Sequence, residues 1–232
     1  MDIRGIQKIS FIDFPGEICA TLFAGGCNFK CRYCHNKDLV LKPADLPPIQ
    51  ENEIIKFLKA KKYVLDGVCI SGGEPSLQEG LPDFISRIKE LDLKVKLDTN
   101  GTRPYLISKL LDRKLIDYIA MDIKAPLEKY SFVTGVDVDI ERLKETINLL
   151  KSNSIDQEFR TTVVPGLLNE NDILSIARLI AGSKKYVLQQ FRPGASLIDP
   201  ALSDVKLFYR EQVARVADSC KEYIQEVQLR GF

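Results

Sequence analysis

Short apolar runs with strand character alternate along the chain with longer segments whose apolar residues recur at helical spacing. The predicted strands end at glycine, proline or asparagine turn signals, and they cover residues 17–23, 67–71, 94–99, 117–123, 157–164 and 185–191, with a short final strand at 227–231. The predicted helices each carry one apolar face, and they cover residues 51–62, 81–91, 104–113, 139–153, 169–182 and 204–223. This alternation predicts an α/β fold with a parallel sheet, because each right-handed crossover returns the chain to the sheet in the same direction.

The pattern fits both an open doubly wound sheet and a barrel, and it does not separate the two. In either arrangement, groups that bind ligands gather at the carboxyl ends of the parallel strands. The length of 232 residues suits one domain, which we expect to span residues 1–232.

Composition and charge argue against several functions for this chain. Lys and Arg number 33 against 32 Asp and Glu, and this balance argues against a nucleic-acid-binding protein. No apolar stretch approaches the roughly 20 residues of a membrane span, and the polar start MDIRGIQKIS does not resemble a signal peptide. We therefore expect a cytoplasmic protein, in which six cysteines indicate metal or redox chemistry rather than disulfides.

Three cysteines follow the first predicted strand within eight residues. Cys27, Cys31 and Cys34 have the spacing C-x-x-x-C-x-x-C, and thiolates suit iron–sulfur clusters and zinc. A closed zinc site needs four ligands, and His35, the only histidine, directly follows Cys34. Three thiolates leave one iron of a four-iron cluster open to a small molecule. The other cysteines, Cys19, Cys69 and Cys220, lie among apolar neighbours, which predicts packing roles.

Polar motifs also follow the later strands. They are Gly72-Gly73-Glu74 after the second, Asp98-Thr99-Asn100 after the third, Asp122 and Lys124 after the fourth, and Phe191-Arg192 after the sixth. Each motif taken singly also fits an ordinary surface turn. Arg160 lies inside a strand pattern, so we expect it to reach a carboxylate or a polar cavity.

The segment CNFKCRYCHN, with Tyr33 before the third cysteine, resembles the signature of radical S-adenosylmethionine enzymes. The resemblance implies that Cys27, Cys31 and Cys34 bind a 4Fe-4S cluster, whose open iron chelates S-adenosylmethionine. One electron then cleaves the sulfonium and gives a 5′-deoxyadenosyl radical, which abstracts a hydrogen atom. The remaining cofactor contacts that the resemblance implies are Tyr33 and His35 near the adenine, Gly72, Gly73 and Glu74 at the methionine amino group, Asp122, Ile123 and Lys124 at the carboxylate and ribose, and Asp98 and Arg192 nearby. It also suggests a monovalent cation near Asp98, Thr99 and Asp122.

Nearly the whole chain is similar to activases of glycyl radical enzymes. The opening, residues 6–36, is closest to the anaerobic ribonucleoside-triphosphate reductase activating proteins, whereas Phe191-Arg192 replaces the aromatic–His pair of formate-lyase activases. The family implies a partial (β/α)6 TIM-like barrel with outer helices, and a glycyl radical enzyme, with anaerobic ribonucleotide reductase favoured, as the partner. Residues 37–66 contain no cysteine, so flavodoxin or ferredoxin must supply the electron to a single cluster.

Two alternatives stay open at this stage. The first is a radical S-adenosylmethionine enzyme acting on a small molecule, similar to a deazaguanine synthase. The second is a metal-binding module without catalysis. Phe11, Phe14, Phe23 and Phe29 near the cysteines fit either interface anchors or core packing, and core packing is favoured.

Overall fold

The computed structural model describes residues 1–232, and these form two compact units. The first unit contains residues 1–28 and 38–120, and the second contains residues 29–37 and 121–232. The single domain expected from the length therefore stays a prediction. No helix has the length and apolar character that crossing a membrane requires.

The strands follow one another in the sheet in chain order. They are β1 (Ile3–Ser10), β2 (Cys19–Ala24), β3 (Gly67–Gly72), β4 (Lys94–Thr99), β5 (Tyr118–Asp122), β6 (Asp156–Val163), β7 (Lys185–Gln190) and β8 (Glu226–Arg230). β1 is antiparallel to β2, whereas β2–β3, β3–β4, β6–β7 and β7–β8 are parallel. In the first unit, Ala24 pairs with Gly72, so β2 and β3 end at the same level.

The helices lie between these strands in the sequence. They are α1 (Lys37–Leu41), α2 (Glu51–Lys61), α3 (Leu81–Lys89), α4 (Pro104–Asp112), α5 (Tyr130–Thr134), α6 (Ile140–Ser152), α7 (Glu170–Leu179) and α8 (Arg210–Cys220). The apolar face predicted for α2 is buried at its centre, since Ile54 and Leu58 are at most 1% exposed. The α/β class with parallel strands and helices is confirmed.

The structure differs from the sequence prediction at β1, at the short helices α1 and α5, and at the start of α8. β1 was not predicted, because Gly5 and Lys8 interrupt its apolar pattern and this edge strand is only partly buried. The short helices α1 and α5 were also missed. The prediction of a helix over 204–223 was too long, since α8 begins only at Arg210.

The cysteines outside the motif are packing residues, as predicted. Cys19 and Cys69 belong to a buried cluster in the first unit together with Phe14, Tyr118 and Ala120. Cys220 is fully buried in the second unit.

The four phenylalanines near the cysteines divide between core and surface. Phe14 and Phe29 are buried, as core packing predicts, whereas Phe11 is 74% exposed.

Candidate functional site

Gly72 and Gly73 let the end of β3 lie directly against the loop that follows β2. Gly72 has a φ of +109°, and a Cβ atom there would lie 2.5 Å from the backbone nitrogen of Ala24. The Gly73 amide donates to the Ala24 carbonyl, and the Glu74 amide donates to the Gly26 carbonyl, each at 2.8 Å. Since backbone atoms make these contacts, the glycine pair fixes where the loop leaves β2.

Replacing Gly73 with alanine is expected to lower the free energy of unfolding by about 1–3 kcal/mol, as other overpacked sites do. The new Cβ would lie 1.9 Å from the Gly26 carbonyl oxygen, which is a backbone atom and cannot swing aside. Because Gly26 directly precedes Cys27, we also expect less iron to be bound after anaerobic reconstitution. Denaturant unfolding and iron analysis measure the two effects. Gly194→Ala is the matched control, since no atom lies within 4 Å of its added Cβ; equal results for both variants would contradict this account.

Glu74 is buried, and its carboxylate accepts four hydrogen bonds. Oε1 accepts from the Ser76 amide at 3.0 Å, the Ser76 hydroxyl at 2.5 Å and the Thr99 hydroxyl at 2.8 Å, while Oε2 accepts from the Asn100 amide at 2.6 Å. Burial raises the pKa of this carboxyl, although the hydrogen bonds act in the opposite direction. Glu74 therefore joins the end of β3 to the end of β4. Its contact with an amino group stays a prediction.

A triangle of polar side chains holds the loop at Cys27. Asn100 Nδ2 donates to Asn28 Oδ1 at 2.8 Å, Asn28 Nδ2 donates to the Thr102 hydroxyl at 2.9 Å, and that hydroxyl donates to Asn100 Oδ1 at 2.8 Å. Asn100 Nδ2 also lies 4.0 Å from the sulfur of Cys27. Sequence analysis placed Asn100 in the polar motif after the third predicted strand, but it missed the other two. The available signal was their position beside a cysteine and beyond a strand end.

Asp98 is paired with a buried lysine that sequence analysis missed. The ammonium of Lys96, which is 1% exposed, bonds to the Asp98 carboxylate and lies 3.7 Å from the sulfur of Cys69. The Ser71 hydroxyl donates to the other Asp98 oxygen at 3.1 Å. The signal in the sequence was a lysine in the middle of a strand buried on both faces, where a charge needs a partner.

Cys31 and Cys34 lie together in the second unit. The Cys34 amide donates to the Cys31 carbonyl at 2.9 Å, which closes a tight turn between them. Burial raises the pKa of the Cys31 thiol to about 11 and also raises the pKa of the Cys34 thiol. None of the six cysteines forms a disulfide, so these two are available as metal ligands, and a bound metal would displace their protons.

Helix α5 holds the cysteine segment in place. The Lys30 amide donates to the Thr134 carbonyl at 2.8 Å, and the Arg32 amide donates to the Val133 carbonyl at 3.2 Å. Gly135 caps the carboxyl end of α5; its φ is +69°, and a Cβ there would lie 2.9 Å from the Lys30 carbonyl oxygen. The backbone on either side of Cys31 is therefore fixed by the second unit itself.

Asp122 lies between two cations at the end of β5. Its Oδ1 accepts from Arg160 Nε at 2.9 Å, and its Oδ2 accepts from Lys124 Nζ at 3.1 Å. The prediction that Arg160 reaches a carboxylate is confirmed. Burial alone would raise the pKa of Asp122, but the two positive charges outweigh it and hold the pKa well below its usual range. Asp122 in turn holds the pKa of Lys124 well above its usual value, although burial acts against this.

In this cluster, the carboxylate of Asp122 is shared by the cationic side chains of Lys124 and Arg160. Ile123 between them is buried, and its backbone accepts from the Thr161 hydroxyl at 2.9 Å and donates to the Arg160 carbonyl at 2.8 Å. The cation expected near Asp98, Thr99 and Asp122 stays a prediction. The carboxylate of Asp98 already has Lys96 as its cationic partner, and that of Asp122 has Lys124.

Tyr33 is buried, and its hydroxyl has no hydrogen-bond partner within the protein. Burial raises the pKa of Tyr33, whereas the positive charge of Lys124 acts in the opposite direction. The neighbouring Tyr130 is satisfied, because its hydroxyl accepts from the Lys124 amide at 3.2 Å. A buried hydroxyl without a partner is costly, so the Tyr33 hydroxyl marks a place where a ligand could supply the missing bond.

His35 and the end of β7 lie side by side in the second unit. The His35 ring and the Phe191 ring have centroids 6.0 Å apart. His35 and Arg192 are exposed, whereas Phe191 is buried. Their roles next to a cofactor stay predictions.

A loop after β7 covers the cysteine segment. The Asp199 amide donates to the Arg32 carbonyl at 2.8 Å, and the Ile198 amide donates to the Cys34 carbonyl at 3.3 Å. Arg32 Nε also donates to the Asp199 carboxylate at 2.8 Å.

The donor set fits the chemistry of an iron–sulfur cluster. Three thiols within eight residues, none of them in a disulfide, are soft ligands, and hydrogen bonds of the protein hold the backbone around them. Cys27 belongs to the first unit and the other two belong to the second. No group of three or more His, Cys, Asp or Glu side chains is arranged in the structure to hold a metal ion. The three-cysteine ligand set therefore stays a prediction.

Comparison with known proteins places the chain in a family. The model of the radical SAM superfamily matches residues 21–180. A protein of Methanocaldococcus jannaschii named as a glycyl-radical enzyme activating enzyme is 37% identical over 98% of this chain and 95% of its own length. A second protein of that organism with the same kind of name is 30% identical over 76% of this chain and 67% of its own length.

The fold also matches solved structures. The crystal structure of Streptococcus suis SuiB matches with a TM-score of 0.67 over 88% of this chain and 46% of that chain, at 14% identity. This likeness concerns the fold alone. The partial (β/α)6 barrel class predicted from the sequence is confirmed.

Proposed function

Because the chain belongs to the radical SAM superfamily and, within it, to the glycyl-radical-enzyme activating enzymes, we propose that it installs a glycyl radical on an anaerobic ribonucleoside-triphosphate reductase. The cofactors are a 4Fe-4S cluster and S-adenosylmethionine. When bound, they supply a 5′-deoxyadenosyl radical that takes a hydrogen atom from a glycine of the partner. The observation that carries the proposal is the C-x-x-x-C-x-x-C segment directly after β2, whose cysteines form no disulfide and whose backbone is fixed.

We assign Cys27, Cys31 and Cys34 to the iron atoms. The segment around Gly73 and Glu74 receives the methionine end of S-adenosylmethionine. Its amide groups are already bonded to the loop before Cys27, so this wall of the site is built before a ligand arrives.

The cluster of Asp122, Lys124 and Arg160 receives the carboxylate of the cofactor. The ammonium of Lys124 has donors beyond the one that bonds to Asp122, and it suits an anionic carboxylate. Asp122 fixes the direction of both cationic side chains, so they need little rearrangement when the cofactor binds. The unpartnered hydroxyl of Tyr33 supplies a further hydrogen bond, and its burial helps to keep water away.

Free cysteines and an electron-requiring cluster suit a reducing compartment, so we place the protein in the cytoplasm. A metal-binding module without catalysis does not fit, because the family is enzymatic. The test below also distinguishes a protein partner from a small-molecule substrate.

The test is to mix the reconstituted, reduced protein with S-adenosylmethionine and an anaerobic ribonucleoside-triphosphate reductase without oxygen. We expect an EPR doublet of a glycyl radical on the reductase and none when its target glycine is replaced by alanine. Pyruvate formate-lyase in the same assay serves as the alternative partner. A radical on formate-lyase alone would refute the partner assignment, and 5′-deoxyadenosine without a radical on either protein would point to a small-molecule substrate.

A further inference from the structure

A lysine side chain lies buried inside the first unit, in the middle of β4. Lys96 is 1% exposed, and its ammonium bonds to the carboxylate of Asp98 on the same strand. The same ammonium lies 3.7 Å from the Cys69 sulfur and 6.0 Å from the centre of the Tyr118 ring. Because a charge removed from water is costly unless other groups compensate for it, these partners form a built site for one positive charge.

The carboxylate of Asp98 has a partner on each of its two oxygens. One oxygen accepts from the Lys96 ammonium, and the other accepts from the Ser71 hydroxyl at 3.1 Å. The Asp98 side chain is 14% exposed. Lys96 and Asp98 are two positions apart on one strand, so they project from the same face of the sheet. The backbone of β4 therefore holds the ammonium and the carboxylate together.

The family resemblance suggests a monovalent cation near Asp98, Thr99 and Asp122, and hard cations bind to oxygen ligands. The Thr99 hydroxyl, however, donates to the Glu74 carboxylate at 2.8 Å and accepts from the Gly101 amide at 3.1 Å. At Asp98, a free cation would lie beside the ammonium, and two like charges at such a short separation repel each other strongly where little water screens them. The residues of the first unit therefore do not fit a separate monovalent cation.

We infer that the ammonium of Lys96 takes the place of a monovalent cation at Asp98. An ammonium group and a potassium ion carry the same charge, and both interact with carboxylate and hydroxyl oxygens. Because β4 tethers this ammonium, it is present at the carboxylate at every salt concentration. Lys96 is a positioning residue, which neutralises Asp98 and fixes the direction of its carboxylate at the end of β4. The inference goes beyond the proposed function and predicts that this chain requires neither potassium nor sodium at Asp98.

The first test compares salts on the wild-type chain. Anaerobic thermal unfolding of the reconstituted protein is followed by circular dichroism in potassium, sodium and tetramethylammonium chloride at equal ionic strength. Tetramethylammonium is too bulky to enter a site among these side chains. The double variant Lys96→Met/Asp98→Asn lacks both charges and reports the general effect of each salt. We expect the unfolding midpoint of the wild type to respond to each salt as that of the double variant does, to within about 1 °C.

Removing the ammonium should create the cation requirement that the wild type lacks. Lys96→Ala leaves the Asp98 carboxylate without its cationic partner and leaves room for potassium beside it. We expect saturating potassium to raise its unfolding midpoint by about 2–4 °C relative to tetramethylammonium, since a ligand that binds only the folded state stabilises it. Lys96→Met fills the space with a methyl group and should not respond. Lys94→Ala, which removes an exposed lysine paired with Glu17, is the matched control and should behave as the wild type.

Two results would overturn the inference. The first is a wild-type midpoint that potassium or sodium raises above the response of the double variant, because a separate cation would then bind at Asp98. The second is a folded Lys96→Ala variant that does not respond to potassium. If Lys96→Ala does not fold, the comparison of the wild type with the double variant decides alone.

Formation of 5′-deoxyadenosine gives a second readout and separates this inference from the proposed function. The wild-type rate should be the same in the three salts, whereas Lys96→Ala should lose about 10-fold in tetramethylammonium and recover in potassium, as expected for two coupled binding sites. If no variant forms product in any salt, the cleavage chemistry of the proposed function fails, while the unfolding comparison still decides the role of Lys96. A wild-type rate that falls in tetramethylammonium more than that of the double variant would overturn the inference and leave the function standing.

Discussion

Replacing Cys31 with serine reduces the iron bound after anaerobic reconstitution to below about a tenth of the wild-type amount and abolishes cleavage of S-adenosylmethionine. The hydroxyl of serine does not ionise near neutral pH and is a hard donor, so it cannot replace a thiolate at iron. Cys31 is buried at a fixed position beside Cys34, and no free thiol outside the motif lies in this segment. Iron and sulfide analysis together with the absorption of the cluster measure the effect.

Cys220→Ser is the control for this prediction. Cys220 is fully buried at the end of α8, outside the cysteine motif, so we expect it to be a packing residue and not a ligand. Burying a hydroxyl there should cost about 1–2 kcal/mol of stability, but the variant should still bind a full cluster. A Cys31→Ser variant with normal iron content would refute the ligand assignment.

Replacing Asp122 with asparagine is expected to lower the free energy of unfolding by about 1–3 kcal/mol, because it removes the charged acceptor of the hydrogen bonds from Arg160 and Lys124. The effect depends on pH in a defined direction. The pKa of Asp122 is lower in the folded protein than its ordinary value of 3.8, so its stabilisation is fully present above that pH and is lost as the pH falls below it. Denaturant unfolding of the cluster-free protein at several pH values should show a constant difference from wild type above about pH 5 and a smaller one below pH 3.8.

The variant Asp199→Asn tests whether burial of the cationic partner causes the loss of stability predicted for Asp122→Asn. Asp199 also pairs with an arginine, Arg32, but the Arg32 side chain is 33% exposed, against 10% for Arg160. Exposed ion pairs contribute little, so we expect a loss of about 0.5 kcal/mol. Equal losses in the two variants would mean that the Asp122 cluster has no special energetic role.

The strands of the sheet were predictable because they are buried on both faces and form continuous apolar runs. β4 was predicted with the bounds the structure has, and β3 to within one residue. β1 was not, since an edge strand is partly exposed and lacks such a run. α8 begins later than the sequence pattern suggested. The stretch before Arg210 has apolar residues at helical spacing, but in the structure it forms a loop.

The positions of the site residues were predictable, but their partners were not. Sequence placed Asp98 and Asp122 at strand ends, as parallel strands require. The pairing of Asp98 with Lys96 and of Asn28 with Asn100 depends on which side chains meet across neighbouring strands and loops. Such tertiary contacts leave only weak local signals. Arg160 was the exception, because a charge inside a buried strand predicts a partner of opposite charge.

The most direct test of the account is EPR of the reconstituted, reduced protein with and without S-adenosylmethionine, with 5′-deoxyadenosine measured in the same samples. The account predicts a reduced 4Fe-4S signal that changes when S-adenosylmethionine is added, together with formation of 5′-deoxyadenosine. A protein that assembles no cluster, or whose cluster signal and products are the same with and without S-adenosylmethionine, would contradict it.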